Sequence, residues 1–371
     1  MKIISLQKNL RSSVYAVNHI AQKNVSLPIL NNILISAQAG AIKLISTNLE
    51  IGITSLLRGK IEQEGSFTVD ARLFSEYVNL LDNEKVDIEL DGSELAVKCG
   101  TYTTKIKGLS AEEFPFIPSV ERADPIVLPI ADFSQAVSQV LFAAAQDENR
   151  PELSGILAVI AQNTLTLAAT DSYRLAEKKI TLTGNVPDKR FIIPARTLQE
   201  VVRIIGSDNV DEEVPTEISL FVSDNQCLFV VGGTEIVSRL IDGQYPEYTP
   251  IIPTRHACRA EVSRTELSRA VKAAAIFSKN GVNDIVLEFD PAAKSVVVSA
   301  ASGASGEQAA SLPGSLLGEK AVITLNYRYL LDVINALSGE MIVFEILDGD
   351  TPCVIKDSGT GYLYIIMPIR K

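Results

Sequence analysis

"FTVDARLFSEYVNLL" at 67–81 and "FIIPARTLQEVVRII" at 191–205 are two versions of one segment. Phe67/Phe191, Ala71/Ala195, Arg72/Arg196, Glu76/Glu200 and Val78/Val202 pair at a constant offset of 124 residues. Each version reads as a strand running into an amphipathic helix. Leu73, Tyr77 and Leu80, then Leu198, Val201 and Ile205, fall at helical spacing. A third, weaker version is "VITLNYRYLLDVINAL" at 322–337, with Leu330, Val333 and Leu337 on its stripe and Asn326 opposite Ala195. Repetition at long period sets the architecture before any single motif does.

Other segments keep the register. "LPILNNILISA" (27–37) matches "RPELSGILAVIA" (150–161), with Ile33 opposite Ile156, and "NDIVLEFD" (283–290) is the third version. Three opening helices align: "LQKNLRSSVYAVNHI", "ADFSQAVSQVLFAA" and "SRTELSRAVKAAAIF". "GLSAEEFPFIP" (108–118) and "DGQYPEYTPIIP" (242–253) each close a copy with proline-rich punctuation. The expected modules are residues 1–122, 123–253 and 254–371, each of ordinary domain size. Each holds two helices and short alternating strands such as "KVDIELDGSELAVKCG" and "TEISLFVSDNQCLFVVGG". That pattern predicts an α+β fold with mainly antiparallel sheet.

The chain has 371 residues, 46% hydrophobic and 21% charged, which is an ordinary soluble composition. "MKIISLQKNL" lacks the apolar core of a secretory signal, and no stretch is apolar for the length a membrane span needs. Cys99, Cys227, Cys258 and Cys353 form no CxxC pair and read as reduced thiols of a cytoplasmic protein. Catalytic signatures are missing. His19 and His256 stand alone, "GSLLGEK" (314–320) has Glu319 where a phosphate loop needs lysine, and neither GxSxG nor GxGxxG occurs. "LDGDTP" (347–352) lacks the later ligands of a calcium loop and reads as a hairpin turn, and "SDNVDEEVP" (207–215) reads as a solvated loop. No reaction, cofactor or metal is implied.

Charge is unevenly spread. The six repeated helical segments (5–20, 70–81, 131–144, 194–205, 263–279, 325–337) carry a net +4, while the whole chain carries −11. Helices gathered on one face would attract phosphate while the remainder repels it; equally, each cation could be an ordinary solvated side chain.

These residues resemble the bacterial DNA sliding clamp family, the beta subunit of DNA polymerase III. The resemblance is carried in family order by "SLPILNNILI", "ENRPELSGIL", "ATDSYRLA", "FIIPARTLQEV" and the terminal "YIIMPIRK". It implies three clamp domains, each with two inner helices and outer antiparallel sheets, and two chains closing a six-module ring around duplex DNA. Such a ring holds DNA by topology, so a few sequence-blind phosphate contacts suffice. The implied DNA-facing residues are Lys8, Arg11, Arg72, Arg196 and Arg203, with Lys23 and Arg150 on loops. The implied pocket, for short peptide motifs of the polymerase III catalytic subunit, the clamp loader and other polymerases and repair proteins, comprises Leu153, Thr170, Ser172, Tyr173, Arg174, Leu175, Pro246, Ile251, Pro352, Ile365 and Met367, with Pro368 and Arg370 beside them. From the pattern alone, Leu175, Ile365 and Met367 read as core; the resemblance turns them into pocket wall. Asp171 is read as holding the turn through backbone amides. Ile106, Ile276 and Phe277 are the implied dimer contacts. Two departures stand out: Lys371 ends the chain where many relatives have an apolar residue, and "TPIIP" (249–253) replaces a basic stretch. A repeat scaffold that binds peptides but not DNA is the competing reading.

Overall fold

The computed structural model describes all residues except 22–25, 83, 148, 185, 207–214, 279–280, 304–305, 358–360 and 371. Lys23, most of the acidic 207–215 run and Lys371 lie outside the described residues. The first repeat runs β1 (Lys2–Leu6), α1 (Gln7–Asn18), β2 (Asn32–Gln38), β3 (Ala41–Thr47), β4 (Ile51–Leu57), β5 (Gly59–Gln63), β6 (Gly65–Asp70), α2 (Ala71–Leu80), β7 (Lys85–Asp91), β8 (Glu94–Cys99) and β9 (Tyr102–Leu109). The second follows the same plan: β10 (Ile126–Pro129), α3 (Ile130–Val140), β11 (Gly155–Ala161), β12 (Thr164–Thr170), β13 (Arg174–Thr181), β14 (Lys189–Pro194), α4 (Ala195–Ile205), β15 (Glu217–Val222), β16 (Gln226–Val231) and β17 (Thr234–Arg239). So does the third: β18 (Cys258–Ser263), α5 (Arg264–Ala275), β19 (Asp284–Asp290), β20 (Ser295–Ser302), β21 (Gly306–Gly318), β22 (Ala321–Asn326), α6 (Tyr327–Ala336), β23 (Met341–Ile346), β24 (Cys353–Asp357) and β25 (Tyr362–Ile366). The single long β21 stands where the first repeat has β4 and β5 in succession.

Repeat and compact unit do not coincide. Unit 1 is Met1–Ser134 with Arg196–Leu240, and unit 2 is Gln135–Ala195 with Ile241–Lys371. Strand pairing is the cause. In unit 1, β17 of the second repeat pairs with β4 of the first, Thr234 opposite Ser55. In unit 2, β25 of the third repeat pairs with β13 of the second, Tyr362 opposite Lys178. Each unit thereby gains a continuous sheet, of 13 strands in unit 1 and 12 in unit 2. Neighbouring strands among the described residues are antiparallel, as the alternating sequence predicts.

Each core sits between sheet and helices. In unit 1, α1 buries Leu10, Val14 and Val17 against β1, β3 and β4 and packs on α2. In unit 2, α5 buries Leu267, Val271 and Ala274 against β18, β20 and β21 and packs on α6. Each of these leucines and valines contributes about 1.5–3 kcal/mol by leaving water.

The structure shifts the repeat register at α6 and the buried face of α2. Asn326 is not the counterpart of Ala195. Its Oδ1 accepts from Arg328 N at 2.9 Å, so it caps α6 as Asp70 caps α2 by accepting from Leu73 N at 2.8 Å. Its counterpart is Pro194, and Tyr327 matches Ala195. Leu73 and Leu80 are also not the buried stripe of α2: they are 52% and 78% exposed, while Phe74 and Val78 are buried. Phe74, Leu198 and Leu330 are the equivalent core positions.

Candidate functional site

The site is built around the turn joining β12 to β13, entirely within unit 2. Asp171 Oδ1 accepts from the backbone N–H of Tyr173 and of Arg174, both at 3.0 Å. Thr170 Oγ1 accepts from Ser172 N at 3.1 Å and donates to Arg174 O at 2.6 Å. These bonds hold Ser172 at φ +77°, a left-handed conformation rare for a residue with a side chain. The turn is thus stiffened locally, and Tyr173 is left exposed at its tip. Met367 N donates to Tyr173 O at 2.9 Å, which ties the segment after β25 to the same turn.

Beside this turn lies a groove of about 180 Å³. Leu153, Thr170, Ser172, Arg174, Leu175, Pro246, Ile251, Ile365 and Met367, all nominated from the sequence, line it together. Its floor is a packed cluster of Leu175, Val354 and Ile365 with Tyr248, Ile252 and Leu363 against it. Met367 is 36% exposed and Ile251 46%, so both offer carbon surface at the lip. Tyr173, Pro352, Pro368 and Arg370 do not line the groove; Pro352 is half-buried in the connection between β23 and β24. That connection is a turn, with Asp348 Oδ1 accepting from Asp350 N and Thr351 N.

Three lining residues were not nominated as pocket from the sequence. Arg150, assigned there to DNA, sits at the rim and donates from Nη1 to Ser172 Oγ at 3.2 Å. Glu247 lines the wall, its carboxyl held below the ordinary range by hydrogen bonds from Thr249. Tyr248 lies half-buried, its hydroxyl donating to Glu177 Oε2 at 2.5 Å; burial and that carboxylate push the hydroxyl well above its ordinary range. Tyr248 carried no signal in the sequence beyond its place in the proline-rich closing segment 242–253.

Arg174 is more frame than rim. Its guanidinium bonds Asp171 Oδ2 at 2.9 Å, Asp332 Oδ2 on α6 at 2.5 Å and Phe142 O at 2.6 Å, and stacks 4.4 Å from the Tyr329 ring. Burial pulls its pKa down, but Tyr364, Asp332 and Asp171 outweigh this and hold the charge firmly.

The other nominated cations fall on unit 1 helices. Lys8 is half-buried on α1; Arg11, Arg72 and Arg196 are exposed, on α1, α2 and α4. Arg72 is engaged by Glu76 at 2.8 Å, a solvated pair of little energetic weight. Arg203 differs. It bonds Glu200 at 2.9 Å and the carbonyls of Tyr15 and Ala16 at 2.9 and 2.8 Å, and stacks on the Tyr15 ring. Glu200 also takes His19 Nδ1 at 2.5 Å, so this histidine does have a carboxylate partner. Among the nominated contact residues, Ile276 is 73% exposed, Phe277 is half-buried, and Ile106 is buried in its own sheet. Among the described residues no cluster of metal-ligating side chains occurs and no helix is long and apolar enough to cross a membrane.

Known proteins share this arrangement over the full chain. Three family profiles match in succession: "DNA polymerase III beta subunit, N-terminal domain" over residues 1–118, "central domain" over 127–247 and "C-terminal domain" over 249–370. The beta sliding clamp of Synechococcus elongatus is 30% identical, with 100% of this chain and 99% of that protein aligned. That of Synechocystis is 29% identical, over 100% and 99%. The crystal structure of the Bacillus subtilis DNA polymerase sliding clamp superposes with a TM-score of 0.92 at 27% identity, covering 100% of this chain and 99% of that one. With three successive repeats, this strand plan and end-to-end similarity, the chain belongs to the beta sliding clamp family, the beta subunits of DNA polymerase III.

Proposed function

We propose that this protein is a non-catalytic processivity factor of the cytoplasm, two copies of which close head to tail around duplex DNA. The observation that carries the reading is a strand join made twice within the chain and left open at both ends. The last strand of the second repeat pairs with β4, and the last strand of the third pairs with β13. The remaining members of the series are β9 and the Gly306–Pro313 stretch of β21. Among the described residues 102–107 and 306–313 each have one edge without a strand neighbour. Open edges of this kind invite pairing with another chain. A head-to-tail contact that repeats the internal one gives six like joins in a dimer, and closure follows if the rotation at each is equal.

The register carries over. Thr234 opposite Ser55 and Tyr362 opposite Lys178 are the same position in the repeat. Its counterpart between copies is Tyr102 opposite Ala310, which sets Thr103 against Ala309, Lys105 against Glu307 and Ile106 against Gly306. Side chains support it. Leu73 and Leu80 occupy the places of Thr197 and Ile204, which are buried in the second repeat. Ile276 follows α5 as His19 follows α1. Ile106, buried inward, contributes backbone and not side-chain area.

In this reading Arg11, Arg72 and Arg196, with Lys8, make loose phosphate contacts, and the unit 2 groove docks short peptide segments of the polymerase catalytic subunit, the clamp loader and other replication and repair proteins. The test is retention. Loaded by a bacterial clamp loader onto a nicked circular duplex, the protein is expected to stay bound in moderate salt and to leave when the circle is linearised. Equal loss from circle and linear DNA would support a peptide-binding scaffold instead.

A further inference from the structure

We infer that unit 1 carries a second docking groove, for an extended segment of a partner protein that presents apolar anchors beside an acidic side chain. The groove lies under the segment closing the first repeat and has a volume of about 510 Å³. Its floor is the sheet face turned away from the core. Alternation along the strands buries Ile33, Ile35, Leu44 and Ile53 on the core side and leaves Leu34, Ile45 and Thr54 half-exposed on the other. Val237 of β17 extends that apolar floor. The closing segment spans it as a strap. Ile117 pins the strap over Gly52, where a Cβ would come within 2.8 Å of the Ile117 side chain, so a larger residue would displace it. Phe116, next to the pin, is 86% exposed and lines the groove, which leaves a large ring unpartnered at its lip.

Charge selects the occupant. The charged lining residues are Lys43, Arg122 and Glu235. Arg122 and Glu235 neutralise each other at 2.6 Å. Lys43 is exposed and has no ion pair among the described residues, so one positive charge is left over on a chain whose net charge is −11. An apolar floor with one uncompensated cation fits a hydrophobic peptide bearing a carboxylate. The groove lies on the β4–β17 join, the unit 1 counterpart of the β13–β25 join beside the unit 2 groove, but it is lined by different positions, and the inference rests on its own chemistry whether or not the unit 2 groove takes peptides.

The test is selection of random short peptides displayed on phage against the full-length protein, with the enriched sequences synthesised and measured by fluorescence anisotropy. One class is expected to keep its affinity for a Leu175→Ala, Met367→Ala variant and to lose about tenfold on Lys43→Glu, an exposed change that spares folding. Replacing its acidic residue by lysine should restore binding to Lys43→Glu. If every enriched peptide ignores Lys43→Glu and fails on the Leu175→Ala, Met367→Ala variant, or if no peptide is enriched, the second groove is wrong.

Discussion

Arg203 and Arg174 both turn their guanidinium inward, each onto a carboxylate, a backbone carbonyl and an aromatic ring, although both stand among the residues expected to meet a ligand. Side-chain direction decides this, and spacing alone does not report it. Glu200 is only 3% exposed and Arg203 18%, so removing the arginine leaves a buried carboxylate with His19 alone of its two cationic partners. Arg203→Ala is expected to destabilise unit 1 by about 3 kcal/mol, read as a lower urea midpoint; Arg196→Ala, at an exposed position, should leave that midpoint in place. In the unit 2 groove, Leu175 and Met367 supply floor and lip. Leu175→Ala with Met367→Ala should weaken a partner peptide by about 2 kcal/mol or more in anisotropy titrations while the dimer mass is unchanged. Unaltered peptide affinity would remove the groove from the docking surface.

At the scale of elements, the period-two and helical patterns marked the strands and helices well because one face of each is buried. What they missed was phase. The stripe Leu73, Tyr77, Leu80 satisfies helical spacing as well as Phe74 and Val78 do, and only packing distinguishes them. Identity alone leaves Asn326 one residue out of register; the bond its Oδ1 accepts from Arg328 N marks it as the cap and fixes the phase. The strand joins between repeats were not legible. Nothing in β4 or β17 states that they pair, since an exposed edge and a joined edge share the same alternation. The exposed Leu73 and Leu80 become intelligible once the repeats are superposed, because the equivalent residues in the second repeat are covered.

For the whole molecule, three copies of one plan were readable from residue offsets, but their grouping into two compact units was not. That grouping follows from the joins β17 to β4 and β25 to β13, and the same joins imply how two chains meet. The most direct measurement is disulfide trapping across that predicted contact. Thr103 and Ala309, or Thr104 and Gln308, are changed to cysteine as pairs; being adjacent, one of the two is a non-hydrogen-bonded pair with closely spaced Cβ atoms. The four native cysteines are buried and should not compete. On mild oxidation, a doubly linked species at twice the 40.1 kDa chain mass is expected, with little linkage in the slipped pair Thr103 and Gln308. A chain that stays monomeric, links into an open ladder, or links best in the slipped pair would contradict head-to-tail closure in this register.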